Sequence, residues 1–102
     1  MNFEIAQKDL DIYVNFYDFK LDPTLKNEGW RLPNLEELKE MYKIHQQRKY
    51  NFKDDRYMSA DYDQPYYNWI LNFEDGTTSH VDITESHWGR ANIRLVRDEL
   101  KP

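Results

Sequence analysis

Apolar residues recur at helical spacing through one stretch of the chain. Leu35, Leu38, Met41 and Tyr42 fall on a single face between Asn34 and His45, the pattern of an amphipathic helix with one buried stripe. Its start is well marked. Asn34 is a good N-cap, and Glu37 stands three residues on, where it can reach back to the Asn34 N–H as in a capping box. Pro33 and Leu38 occupy the positions of a hydrophobic staple, and Glu36 and Glu37 place negative charge in the first turn. The run His45-Gln46-Gln47-Arg48-Lys49 marks the end. Upstream, Gly29 suits a backbone position with positive φ. Trp30-Arg31-Leu32 read as a short extended entry, because Pro33 pushes Leu32 out of the helical region.

Elsewhere the period changes. Tyr67, Trp69, Leu71 and Phe73 alternate with Asn68, Ile70 and Asn72, and Asp75-Gly76 follows as a tight-turn dipeptide. Thr77 to Ile83 is the returning strand, Thr84 to Arg90 a loop, and Asn92 to Arg97 a last strand. Phe3 and Ile5 predict an edge strand. Ile12 to Phe19 fits either period. Leu21-Asp22-Pro23-Thr24 reads as a turn or loop. Residues 46–65 read as a long polar, aromatic loop with Tyr57-Met58-Ser59 as a short strand inside it. A main helix followed by an antiparallel sheet is an α+β arrangement.

Composition narrows the function classes. A chain of 102 residues predicts a single domain over 1–102. It has no cysteine, which excludes disulfides, thiolate metal sites and cysteine nucleophiles. Met1-Asn2-Phe3-Glu4 lacks the basic and apolar regions of a signal peptide, and no apolar run is long enough to span a bilayer. The expected setting is cytoplasmic, or a phage particle, without membrane association. A formal net charge of −5 argues against direct nucleic-acid binding, which needs a basic surface. Aromatics make up 16% of the chain, eight of them tyrosines. That is too aromatic for a disordered protein and more than one small core needs.

Four blocks carry a family resemblance: Gly29-Trp30-Arg31-Leu32-Pro33 with Leu35-Glu36-Glu37-Leu38; Tyr57-Met58-Ser59-Ala60-Asp61-Tyr62-Asp63; Asn68-Trp69-Ile70-Leu71-Asn72-Phe73-Glu74-Asp75-Gly76-Thr77; and Ile93-Arg94-Leu95-Val96-Arg97. In order and spacing they resemble a bacterial and phage domain of unknown function found at the C-terminus of collagen-like surface proteins. That domain is related to the formylglycine-generating-enzyme branch of the C-type lectin-like fold. The resemblance covers about residues 29–97. It implies one main helix packed on a small twisted antiparallel sheet, chain ends close together, and a long loop region that carries binding. Met58 stands where the family has an aromatic. The family's usual setting is an exported, modular protein, and neither an export signal nor a second module is evident here.

No catalytic set can be named from spacing. Formylglycine-generating activity needs cysteines and is excluded. Asp61, Asp63 and Gln64-Pro65 are a faint echo of a lectin calcium loop, and Asn68-Trp69 has the wrong order for its partner motif; calcium wants six to eight oxygens. His45, His80 and His87 lack the short-spaced pairs of structural zinc. No metal and no cofactor is therefore expected, and no enzymatic activity. What remains is an aromatic surface: Tyr57, Asp61, Tyr62, Asp63, Gln64, Tyr66 and Tyr67, joined by His87, Trp88 and Arg90. Tyr, Trp and Arg dominate interface hot spots. The reading is a non-enzymatic binding module holding a protein, or else a glycan, on this loop face. The alternative is a small acidic intracellular inhibitor that blocks a basic or nucleic-acid-binding site of a partner such as a nuclease. Nothing in the sequence fixes the oligomeric state.

Overall fold

The computed structural model describes residues 2–10, 14–15, 20–48, 50–64, 67–82 and 90–99, with the backbone alone for 14–15, 62–64 and 90. The chain is α+β, and the described residues form two helices and antiparallel sheets. Strand β1 (Phe3–Ile5) pairs antiparallel with β7 (Val96–Asp98), so the two ends of the described chain lie side by side. Strand β2 (Val14–Asn15) pairs with β6 (Arg90–Ala91). The rest of Ile12 to Phe19, whose period was ambiguous, lies outside the described residues, as do Ile83 and the expected loop from Thr84 up to Arg90.

Leu21-Asp22-Pro23-Thr24 is not a loop. It opens helix α1 (Pro23–Asn27), where the Asp22 carboxylate accepts the Thr24 N–H at 2.7 Å and Pro23 takes the first turn. There its missing N–H costs nothing and its fixed φ is already helical. Gly29, at φ 92, then turns the chain out of the helix. Arg31 forms a bridge to Val96, with its N–H donating to the Val96 carbonyl at 2.8 Å and the reverse bond at 2.9 Å. The expected extended entry is thereby stitched to the last strand.

Helix α2 (Leu35–Gln46) is built as the pattern predicts. Asn34 Oδ1 accepts the Glu37 N–H at 2.8 Å, and Glu37 Oε1 accepts the Asn34 N–H at 2.9 Å. Leu38 and Met41 are fully buried, each such side chain stabilising the fold by about 1.5–3 kcal/mol on transfer from water. Arg48, just past the end, adopts φ 56.

The main sheet runs in the order β3 (Arg56–Gln64), β4 (Tyr67–Asn72), β5 (Thr78–Asp82), all antiparallel. Residues 56–64 of the long loop expected over 46–65 are thus strand, Gln46 ends α2, and the connection shrinks to 47–55. Where β3 meets β4 the sheet is covered on both faces. Tyr57 and Leu71, opposite each other, join Phe73, Leu38 and Met41 under α2; Met58 and Ile70, the next pair along, join Ala91, Ile93 and Leu95 on the other side. A strand buried on both faces loses the simple alternation that betrays it in a sequence. Register shifts between Met58 and Tyr62 and between Tyr62 and Gln64 blur the pattern further. The expected strand over Asn92–Arg97 is likewise broken: 93–95 are buried without strand pairing between β6 and β7.

The Asp75-Gly76 turn joins β4 to β5 as expected. Gly76 N–H donates to the Asn72 carbonyl at 2.7 Å, Asn72 N–H to the Thr77 carbonyl at 2.8 Å, and Gly76 sits at φ 80. This is a four-residue loop, 73–76, closed by the Asn72–Thr77 pair, with Gly76 in its left-handed last position. Glycine is required twice over, since a Cβ there would lie 2.6 Å from the Tyr42 ring.

Candidate functional site

Three polar or aromatic groupings stand out, and two of them are bracing. The first is buried. Arg94, 1% exposed, donates from Nε to Asp9 Oδ1 at 2.7 Å and to the carbonyls of Ala6 at 3.1 Å and Asn51 at 3.2 Å. Its guanidinium lies 4.6 Å over the Phe52 ring. The Tyr57 hydroxyl donates to the same carboxylate, 2.8 Å from Asp9 Oδ2, and accepts the Lys53 N–H at 3.0 Å. Burial, reinforced by the neighbouring Asp9 charge, pushes that hydroxyl above the usual tyrosine range. Each nitrogen of the guanidinium has an acceptor, so the pair ties the N-terminal segment, the 47–55 connection and the C-terminal segment together.

The second grouping caps α2. Arg31 makes a bidentate pair with Glu37 at 2.7 and 2.8 Å and also reaches Asp98 at 2.7 Å. Burial works to raise the Glu37 carboxyl, but the hydrogen bonds from Arg31 and Asn34 outweigh it and hold it below the ordinary glutamate value. These bonds fasten the start of the helix to the last strand.

The third grouping is exposed. Antiparallel register sets Trp69 opposite His80 and Tyr67 opposite Asp82, so all four side chains share one sheet face. The Trp69 and His80 rings stack, with centroids 5.1 Å apart and planes 18° from parallel; Tyr67 leans on His80 at 5.6 Å. Tyr67 is 36% exposed, His80 is exposed and Trp69 is half-buried. The three rings make a continuous aromatic strip on the sheet, bordered by exposed Thr78.

The expected site residues divide against this geometry. Tyr57 is a correction: it is fully buried, 4.5 Å from Phe73 and 5.8 Å from Phe52 in ring centroids, and belongs to the core. Alternation sends it under α2, where its hydroxyl finds Asp9. Asp61 is half-buried and accepts the Leu35 N–H at 2.9 Å. It holds β3 to the start of α2 rather than reaching into solvent. Tyr62, Asp63 and Gln64 form the end of β3, with Tyr62 paired to Asn68 and Gln64 to Tyr67, and their side chains lie outside the described set. Tyr67 lies in the strip. The Arg90 backbone pairs with Asn15. Tyr66, His87 and Trp88 lie outside the described residues. Trp69 and His80 were not among the expected site residues. Counting back and forward from Asp75-Gly76 brings them into register, and that was the signal for them.

Beside the strip, buried Asn68 donates from Nδ2 to the Ser59 carbonyl at 2.6 Å, and Ser59 Oγ donates to the Trp69 carbonyl at 2.7 Å. These bonds span the register shift in β3 and stiffen the strand that carries Trp69. Among the described residues no cluster of three or more His, Asp or Glu is placed to hold a metal ion, and no helix is long and apolar enough to cross a membrane. No protein-family model matches the chain, and no curated protein matches it.

Proposed function

We propose that this chain is a non-enzymatic binding module on a C-type lectin-like scaffold, holding a protein or glycan partner on the sheet face of Tyr67, Trp69 and His80 and on the neighbouring end of β3. The observation that carries the reading is the aromatic strip. The His80 ring contacts both Trp69 and Tyr67 on an outward face, while the junction of β3 and β4 beside them is covered on both sides. Aromatic side chains held rigid from below offer large contact area at little entropic cost. Tyr62 and Gln64 continue along the strand beside Asn68 and Tyr67. Pairing of the first and last strands, and a single long helix laid on an antiparallel sheet, support the lectin-like scaffold.

The test is alanine substitution at Tyr67, Trp69 and His80, with Tyr62, Tyr66 and Trp88 as the flanking set, in protein verified to be folded. Affinity for a partner should fall by about 1–2 kcal/mol or more at a strip position. Unchanged affinity across both sets refutes the face assignment.

A second reading, an inhibitor of a basic site, has one observation in its favour. Exposed Glu4, Glu28, Asp98 and Glu99 rim a groove of about 760 Å³, whose cations Arg31 and Arg97 are already held by Glu37, Asp98 and Glu4. Association that weakens steeply with salt, and competition with nucleic acid for the partner, would favour it. Binding indifferent to ionic strength would count against it.

A further inference from the structure

Two large apolar side chains are exposed among the described residues, Tyr67 and Tyr50. Tyr67 belongs to the strip. Tyr50, 41% exposed, stands in the 47–55 connection and stacks on Phe52, with centroids 5.7 Å apart and planes 27° from parallel. It lines the groove of about 760 Å³ beside the paired strands β1 and β7. Phe3 and Ile5, both nearly buried, line that groove from β1. Gly29 lines it too, and a Cβ there would meet nothing within 4 Å. A volume of this size lies in the range of ligand pockets.

Charge in the groove is unequal. Four carboxylates, Glu4, Glu28, Asp98 and Glu99, line it against two guanidiniums, Arg31 and Arg97. Both guanidiniums are spent within the fold. Arg97 pairs with Glu4, and Arg31 pairs with Asp98 together with Glu37. The exposed Glu99 carboxylate has no side-chain partner among the described residues.

The molecule itself shows what a ring beside a carboxylate takes. Arg94 lies 4.6 Å over the Phe52 ring and pairs with Asp9. Arg97 lies 4.3 Å over the Trp30 ring and pairs with Glu4. In both, one guanidinium answers a ring and a carboxylate at once. Tyr50 and Glu99 bring a third ring and a third carboxylate to one groove, and no described guanidinium lies over Tyr50. A guanidinium suits them better than an ammonium, because its planar cation stacks on an aromatic face and gives two parallel hydrogen bonds to a carboxylate.

We propose that the groove lined by Tyr50, Glu28 and Glu99 receives an arginine-bearing segment of a partner protein, with one guanidinium stacked on Tyr50 and bonded to the Glu99 carboxylate. The excess of carboxylates draws further basic residues along the segment and repels nucleic acid. This deepens the second reading above and rests on it, since it gives the basic site of the partner a residue type and a seat. It makes no use of the strip.

The test uses the full chain, isotopically labelled for NMR, and a blocked five-residue peptide in which arginine alternates with alanine, with lysine and citrulline versions. At low ionic strength the arginine peptide should shift the backbone amides of Gly29, Asp98 and Glu99 and leave those of Lys39 and Thr78 in place. The lysine peptide should bind about threefold more weakly or worse. The citrulline peptide, which keeps the planar group and loses the charge, should bind at least tenfold more weakly. Tyr50→Leu should weaken the arginine peptide about threefold and remove its advantage over lysine, and Tyr50→Phe should keep both. Glu99→Gln should weaken the arginine peptide about threefold with the thermal midpoint within a few degrees of wild type, and this variant decides the matter if Tyr50→Leu does not fold. Groove amides unmoved at millimolar arginine peptide overturn the inference. Equal affinity for arginine and lysine, with no effect of Tyr50→Leu, also overturns it and leaves a diffuse acidic surface that still serves the second reading. Binding indifferent to ionic strength overturns both the seat and the second reading. Spermine that moves the same amides as tightly as the peptide identifies a free polyamine as the occupant and overturns the partner segment. Shifts of the groove amides that grow with protein concentration alone identify a second copy and overturn it too.

Discussion

Asp9→Ala removes one carboxylate and leaves two buried donors without it. Arg94 Nε loses its 2.7 Å acceptor and the Tyr57 hydroxyl loses its acceptor at 2.8 Å. The Arg94 side chain is 1% exposed and that of Asp9 10%, so water does not easily replace the lost partner. Breaking a buried ion pair from one side costs about 3–5 kcal/mol, because the remaining charge stays desolvated. A chain of this size has about 5–15 kcal/mol of total stability, so the substitution removes a large part of it. With a urea slope of about 1–3 kcal/mol per molar, the midpoint should drop by at least ~1 M with the slope unchanged. Arg94→Met alone should also destabilise, since the Ala6 and Asn51 carbonyls and Asp9 lose their donor. The double variant should be better than the sum of the singles by about 2 kcal/mol or more, because it leaves no lone charge. An Asp9→Ala loss below about 1 kcal/mol, or strict additivity, would refute the claim that this network fastens the two ends of the chain.

Two further predictions concern the helix and the turn. Glu37→Gln should cost about 1 kcal/mol at neutral pH, allowing for solvent screening. The Glu37 carboxyl is held below 4.5 in the fold, so its contribution is present above that pH and lost as pH falls through the lower folded value. The gap between wild type and Glu37→Gln in urea unfolding should therefore close in acid; a gap that widens in acid contradicts the assignment. Gly76→Ala should destabilise by about 2 kcal/mol or more, through positive φ and the collision with Tyr42. Gly29→Ala, also at positive φ but with open space around it, should cost less, about 1 kcal/mol; equal losses would show that the Tyr42 contact is irrelevant.

What the sequence made legible was local. The α2 caps, the Asp75-Gly76 hairpin and the φ of Gly29 depend on residues within a few positions of one another, and each was readable from the chain. Helix α1 is equally local, but Asp22-Pro23 has the same appearance in a loop as in its actual role, an N-cap followed by a first-turn proline. The features that escaped were those decided at long range. Tyr57 reads as one more tyrosine in a polar stretch until Asp9, far away in sequence, supplies the acceptor that allows its hydroxyl to be buried. Nothing local marks Arg94, one residue of the expected last strand, as buried until Asp9, Ala6 and Asn51 converge on it. Of strand β3 only the Tyr57-Met58-Ser59 stretch was legible, because both faces are covered there and the register shifts beyond it. The aromatic strip was half legible, since Tyr67 was picked out for exposure while His80 was weighed as a metal ligand and not as a ring stacked on Trp69.

The account rests on the strip as the place where a partner is held. The most direct measurement is the dissociation constant of a purified partner against wild type, Trp69→Ala, and Lys39→Ala on the exposed outer face of α2. The account predicts at least a tenfold weaker complex for Trp69→Ala and no change for Lys39→Ala, with all three equally folded. Equal affinities for wild type and Trp69→Ala would contradict it.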